Sequence, residues 1–354
     1  MKFSVSRDAL HEAITLANLA SKGGSDVLSL TVANNKLALL GSSGNVTLAL
    51  DIPVSATTDG AAVVPGRFFQ QVVSSIPAQT ISVEMSAAAL AVSGGASAFS
   101  VRTIAGAQVN HIQIPAVDAV SVTGDLIEAL AQVSIAASSK SGVAPALTGV
   151  LLTASETSVE VAATDSYRVA VRALEASALP AAAKSLIPGG VIELLNRLMA
   201  KRGNLTLRLG DTAASFHADG AVLTTRLIDG GFPQYQKVIP AVEGTVAHVS
   251  RDALIDVLQR ARLVNDARVA VAFSDGSISV SASSAENDGY AEALTAEVTG
   301  DEVSFTVNTN FLVDGLRAAP TADIEIVCSS SSKPVLIQAK GSDAFKYVVM
   351  PVRV

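Results

Sequence analysis

Among its 354 residues the sequence has no tryptophan and a single cysteine, Cys328. One cysteine excludes an intramolecular disulfide and any cysteine-rich metal centre, and it fits a reducing compartment. The histidines, His11, His111, His217 and His248, are scattered, with no i, i+4 pair of the kind that binds metal. The glycine-rich signatures of a phosphate cradle, a dinucleotide fold and a nucleophile elbow are all missing. Asp165 beside Ser166 and Asp229 before Gly230 could be drawn as catalytic carboxylates, but Asp at such positions is more often a turn former. The expectation is a protein with no catalytic residue, no metal and no cofactor. No stretch approaches the roughly 18 consecutive apolar residues of a spanning helix. The N-terminal MKFSVSRDAL also lacks the apolar centre of a signal peptide. A soluble, cytoplasmic protein without membrane contact is expected.

Charge is scarce as well, at 16% of residues, and the net charge is −7. Proteins that hold nucleic acid by electrostatic affinity neutralise many phosphates with Lys and Arg, so this chain does not work in that way. Aromatic residues make up 4% and apolar residues 49%. The cores must therefore be aliphatic, and the length suggests two or three of them.

What is present is a repeat. Three segments open alike: SVSRDALHEAITLA (4–17), SVTGDLIEALAQVS (121–134) and HVSRDALIDVLQRA (248–261). Each reads as a short strand followed by a helix, with Ser6, Thr123 or Ser250 at the cap and Asp8, Asp125 or Asp252 in the first turn, where the helix dipole favours them. The apolar stripes superimpose as Leu10, Ala13, Ile14, Ala17; Ile127, Leu130, Ala131 with polar Ser134; and Leu254, Val257, Leu258, Ala261. A second helix recurs later in each unit, in VPGRFFQQVVSSIP (64–77), IPGGVIELLNRLMA (187–200) and VNTNFLVDGLRAAP (307–320). Alternating runs such as KLALLGSSGNVTLALDIPV and VAVAFSDGSISVSAS predict half-buried antiparallel strands joined by Gly-containing turns. The fold class is α+β, in three domains of about 1–117, 118–241 and 242–354, each with two helices packed on antiparallel sheets.

With that repeat in place, the segments PALTGVLL (145–152), ATDSYRVAV (163–171), LIDGGFPQYQKVIP (227–240), VNTNF (307–311) and YVVMPVRV (347–354) occur in family order. The whole chain resembles the beta subunit of bacterial DNA polymerase III, the sliding clamps. The resemblance implies a head-to-tail homodimer, a pseudo-sixfold ring with helices lining the hole, that encircles duplex DNA without reading its sequence. A closed ring stays on DNA by topology, which answers the acidic net charge. Implied partners are the DNA polymerase III alpha subunit, the clamp loader and other proteins carrying clamp-binding peptides.

The resemblance also implies site residues. A peptide pocket between the second and third domains would use Leu147, Thr164, Ser166, Tyr167, Arg168, Val169, Pro233, Lys237, Val238, Asn308, Phe311, Val335, Val348, Met350, Pro351, Val352 and Arg353. Its Val, Leu, Met and Pro side chains suit a Leu or Phe anchor. DNA-facing candidates are Lys22, Arg67, Lys140, Arg197, Lys201 and Arg202. Ring closure would join Phe99 and Val101 of one protomer to Leu263 and Val264 of the other, combining edge-strand pairing with an apolar cluster.

The chain departs from the family where Tyr167 replaces a common His and where Gly66 or Gly189 replaces a basic residue. A paralogous clamp or peptide-binding scaffold that has lost loading is the alternative, and a hydrolytic or small-molecule-binding α+β protein is the more distant one.

Overall fold

The computed structural model describes every residue except 25, 87, 176–178, 180–182, 203, 204, 287, 353 and 354, and the side chains of 199–202 lie outside the description too. The described helices are α1 (Arg7–Ala20), α2 (Gly66–Ser75), α3 (Gly124–Ser134), α4 (Gly189–Arg202), α5 (Arg251–Ala261) and α6 (Thr309–Ala318), two per sequence repeat. None is long and apolar enough to cross a membrane.

The stripes that predict α1 and α5 are wholly buried. In α3 the stripe is displaced: Ala131 is only half-buried, and Leu126, Ala129 and Val133 enter the core instead. Ser134 turns its hydroxyl back onto the Ala131 carbonyl, at 2.9 Å. Capping also differs between repeats. Ser250 accepts a hydrogen bond from the Ala253 amide, whereas the Ser6 side chain makes no cap bond.

Another device is shared by the first and third repeats. Arg7 donates to Asp8 at 2.8 Å and to the Ile76 carbonyl at 3.3 Å, just past α2. Arg251 donates to Asp252 at 2.8 Å and to the Ala319 carbonyl at 3.0 Å, just past α6. Each arginine satisfies a helix-terminal carbonyl that has no intrahelical partner, tying the first helix of its repeat to the second. The central repeat has Gly124 at this position and lacks the tie.

The chain forms two compact units, Met1–Gly124 with Gly190–Leu227, and Asp125–Gly189 with Ile228–Val354. The first holds an eight-stranded antiparallel sheet in the order Gly60–Pro65, Val27–Ala33, Lys36–Ser42, Val46–Pro53, Ala221–Arg226, Ala213–Ala218, Leu205–Leu209, Val120–Val122. Its second sheet runs Ser55–Thr58, Lys2–Ser6, Thr80–Ser86, Ala89–Gly94, Ser97–Arg102.

The other unit holds a nine-stranded sheet in the order Lys184–Pro188, Gly149–Ala154, Ser158–Thr164, Arg168–Glu175, Ser342–Val349, Val335–Ala339, Asp323–Cys328, Thr245–Ser250, Glu297–Thr299. Beside it is a four-stranded sheet, Gly289–Thr295, Ser277–Ser283, Val269–Ser274, Val303–Val307.

The two large sheets are built alike. In one, Val46 to Leu50 of the first repeat pair with Thr225 to Ala221 at the end of the second. In the other, Arg168 to Arg172 of the second repeat pair with Val349 to Phe345 at the end of the third. The second and third repeats thus each join their last strand to the sheet of the repeat before, and the central repeat is divided between the two units.

Candidate functional site

Within the second unit a groove of about 140 Å³ opens where the hairpin joining Ser158–Thr164 to Arg168–Glu175 meets the last strand and the segment 233–238. Residues 164–168 form a tight, self-bonded turn. The Asp165 carboxylate accepts the amides of Tyr167 and Arg168 at 3.0 and 3.1 Å, and the Thr164 hydroxyl donates to the Arg168 carbonyl at 2.7 Å. Ser166 takes φ +77°, a left-handed conformation that a side chain adopts at some cost. The turn presents Tyr167 to solvent at 60% exposure, while its carbonyl accepts the Met350 amide at 2.9 Å.

The floor is apolar. Val169 and Val348 are buried opposite each other and belong to a cluster with Leu336, Val327 and Tyr235, against which Ile228, Phe232 and Ile239 pack. Tyr235 stands edge-on to Phe232 and donates its hydroxyl to the Glu160 carboxylate. Burial, reinforced by Glu160, pushes its pKa up, so the phenol stays a neutral donor.

Arg168 is nearly buried. Desolvation opposes its charge, but Tyr347, Asp314 and Asp165 more than offset that cost, and its pKa is raised. Burial raises the Tyr347 phenol as well.

Of the expected pocket residues, Thr164, Ser166, Tyr167, Arg168, Val169, Pro233, Val238, Val348 and Met350 line this groove. Gln234 and Tyr235 line it too and escaped the sequence reading; the signal for Tyr235 was an aromatic residue amid the apolar positions of FPQYQKVIP. Phe311 stands behind the groove wall, 6.4 Å from the Tyr167 ring. Asn308 has a local task instead, capping α6 by accepting the Phe311 amide at 3.1 Å. Leu147, Lys237 and Pro351 are not in the lining, and Val352 donates its amide to the Thr306 carbonyl. Val335 requires correction: it is wholly buried in register with Val349, and a side chain in the sheet's core offers nothing to a ligand. Arg353 lies outside the described residues.

The expected closure residues differ among themselves. Leu263 is 88% exposed and Phe99 is partly exposed, whereas Val264 is half-buried. Val101 is fully buried in its own unit, on the edge strand Ser97–Arg102, where the backbone rather than the side chain is open to pairing. Among the DNA-facing candidates, Lys22 and Lys140 are exposed. Arg67 lies 3.8 Å from Asp26, and Arg197 is 2.9 Å from Glu193. Such exposed pairs add little stability, but they reduce the free positive charge at Arg67 and Arg197. The side chains of Lys201 and Arg202, in α4, lie outside the description. Among the described residues no group of three or more His, Cys, Asp or Glu is placed to hold a metal.

A threefold-repeated α+β scaffold with an apolar surface groove defines a protein whose work is assembly and binding. Family profiles for the N-terminal, central and C-terminal domains of the DNA polymerase III beta subunit match residues 1–113, 122–234 and 236–353. The chain belongs to this family of sliding clamps, the non-catalytic processivity subunits of DNA polymerase III. It is similar to the beta sliding clamp of Streptomyces coelicolor, at 27% identity covering 100% of this chain and 99% of that protein. The beta sliding clamp of Bacillus subtilis is 24% identical over the full length of both. In fold it is similar to the solved beta chain of DNA polymerase III from Streptococcus pneumoniae, with a TM-score of 0.90, 22% identity and full coverage of both chains.

Proposed function

We propose that two copies of this chain close head to tail into a ring around duplex DNA, in the cytoplasm, and that the groove tethers the polymerase alpha subunit, the clamp loader and other partners by an extended peptide. The domains of this ring are residues 1–117, 118–241 and 242–354.

The observation that carries the reading is the pattern of strand lending. Twice within the chain the last strand of one repeat completes the sheet of the repeat before it. The strand left over at the end of the first repeat, Ser97–Arg102, is a sheet edge, and so is Gly289–Thr295, the third-repeat counterpart of the strands that receive a partner. Edges of this kind invite pairing with another chain, and a heterologous contact that closes on itself gives a ring. With the register of the Val46–Leu50 ladder carried over, Phe99 of one copy would face Tyr290 of the other. Arg260, on the helix just before Leu263 and Val264, donates to the Tyr290 hydroxyl and the Glu292 carboxylate, which supports bringing those two residues to the same contact.

The ring needs little positive charge, because topology rather than affinity retains the DNA. Lys22, Lys140, Arg67, Arg197, Lys201 and Arg202 supply enough to avoid repelling phosphate, and the ion pairs of Arg67 and Arg197 keep that contact weak. The groove supplies an apolar floor for a Leu or Phe anchor, walled by the Tyr167 turn and the Met350 strand end.

Sedimentation should give the mass of a dimer, and particle images should show a central opening wide enough for B-form duplex. A compact particle with no opening would overturn the reading. Charged residues at Leu263 and Val264 should yield monomers. Deleting residues 350–354 should abolish capture of a Leu-Phe peptide in calorimetry and leave the dimer intact.

A further inference from the structure

The groove's cation is already spoken for. Arg168 donates from Nε to Asp165 at 3.0 Å and from Nη1 to Asp314 at 2.7 Å, and its guanidinium carbon lies 4.2 Å from the centre of the Phe311 ring. A guanidinium held by two carboxylates and an aromatic face has little left for a ligand. The three-residue cluster carries one net negative charge.

Asp314 sits one turn beyond Phe311 on α6 and is absent from the groove lining. Its bond to Arg168 joins α6 to the hairpin turn that carries Tyr167, and so fixes the spacing between the Phe311 and Tyr167 rings. The rest of α6 is held independently, since the Tyr347 hydroxyl donates to the Phe311 carbonyl at 2.7 Å. A Cβ on Gly315 would stand 2.3 Å from the Tyr347 ring, which shows how closely helix and strand approach. Removing Asp314 therefore loosens the turn against a helix that stays in place.

We infer that Asp314 is a positioning residue of the peptide groove: by engaging Arg168 it sets the shape of the wall and withholds the guanidinium from acidic ligands, so that the groove selects an apolar anchor. This rests on the peptide-binding role proposed above.

The test compares two fluorescein-labelled synthetic peptides, one with a Leu-Phe anchor and one with Leu-Glu in its place, titrated against the full-length protein and followed by anisotropy. Asp314→Asn should weaken the Leu-Phe peptide by about tenfold, the effect of losing one charge-assisted hydrogen bond. It should at the same time strengthen the Leu-Glu peptide, because the guanidinium is released. Asp314→Glu, which restores the carboxylate, should recover the Leu-Phe affinity. General loosening of the fold would weaken both peptides together, and that outcome, or unchanged affinities for both, overturns the inference while leaving the groove's role standing. If the unsubstituted protein binds neither peptide, the peptide-binding role itself falls, and this inference with it.

Discussion

The two large sheets share the order of eight strands and the same junction between repeats, the second adding Glu297–Thr299 at its edge, yet the rows of side chains at equivalent places are opposite in character. In the second unit the row runs Thr164, Val169, Val348, Leu336, Val327 across five strands, apolar apart from its first member. In the first unit the matching row is Ser42, Thr47, Thr224, Ser215, Arg208.

Both rows are covered by the connecting segment that follows the preceding repeat. Over the apolar row lie Ile228, Phe232, Tyr235 and Ile239, and the groove opens beside them. Over the hydroxyl row runs the segment 103–119, in which Ile112 is the only buried side chain. The Ile112 amide donates to the Thr47 hydroxyl at 3.3 Å, and Arg208 donates to the Val117 carbonyl. Hydroxyls satisfy one another and the crossing backbone, as at Ser215 and Thr224, 3.0 Å apart. A polar row therefore fastens its cover by hydrogen bonds. An apolar row holds its cover by burial and keeps apolar surface for a ligand.

The strongest way to break this comparison is Val348→Asp. A charge without a partner in the apolar row should cost about 4–5 kcal/mol or more, and thermal denaturation should show the second unit melting early. A loss below about 1 kcal/mol would mean that the row is not a core. Ile112→Ala should cost about 2–4 kcal/mol, with faster hydrogen exchange confined to residues 104–118. Thr47→Val keeps the shape but leaves the Ile112 amide without its acceptor, a loss of about 1–3 kcal/mol. Equal stability of this variant and the parent in urea would show that the hydroxyl is dispensable.

The smallest effect concerns His217, whose Nε2 lies 3.0 Å from Ser215 Oγ beside the hydroxyl row. Burial, and then Arg208, holds its pKa below the ordinary value of about 6.5. Between the depressed pKa and that value the unfolded chain binds more protons than the folded one. This contribution to stability is therefore whole above about pH 6.5 and is lost as pH falls through the folded pKa. His217→Gln should flatten that part of the profile, and an unaltered pH slope in the melting temperature would exclude it.

The helices were legible from their residues. A period of 3.6 with an N-terminal Asp, Pro or Asn places all six, and the one slipped stripe, in α3, falls where Gly124 replaces the arginine that ties the helices of the other two repeats. The groove residues carried by the Thr164–Val169 turn were legible through resemblance, because a turn with its own capping Asp is a local structure that travels intact. Val335 was misplaced because strand alternation indicates a face and cannot say whether that face is covered. Gln234 and Tyr235 were missed because their position depends on how a connecting segment crosses a sheet.

By itself the sequence determined the threefold repeat, the aliphatic cores, the two helices of each repeat and the hairpin turns, all of which follow from periodicity and turn chemistry acting over a few residues. Only the tertiary structure decided that the second and third repeats each complete the sheet of the repeat before, that Arg168 is committed to Asp165 and Asp314, and that a groove opens beside the apolar junction. Those outcomes depend on pairings between residues far apart in the chain, such as Val46 with Thr225 and Arg168 with Asp314, where the register of one strand selects which side chains meet.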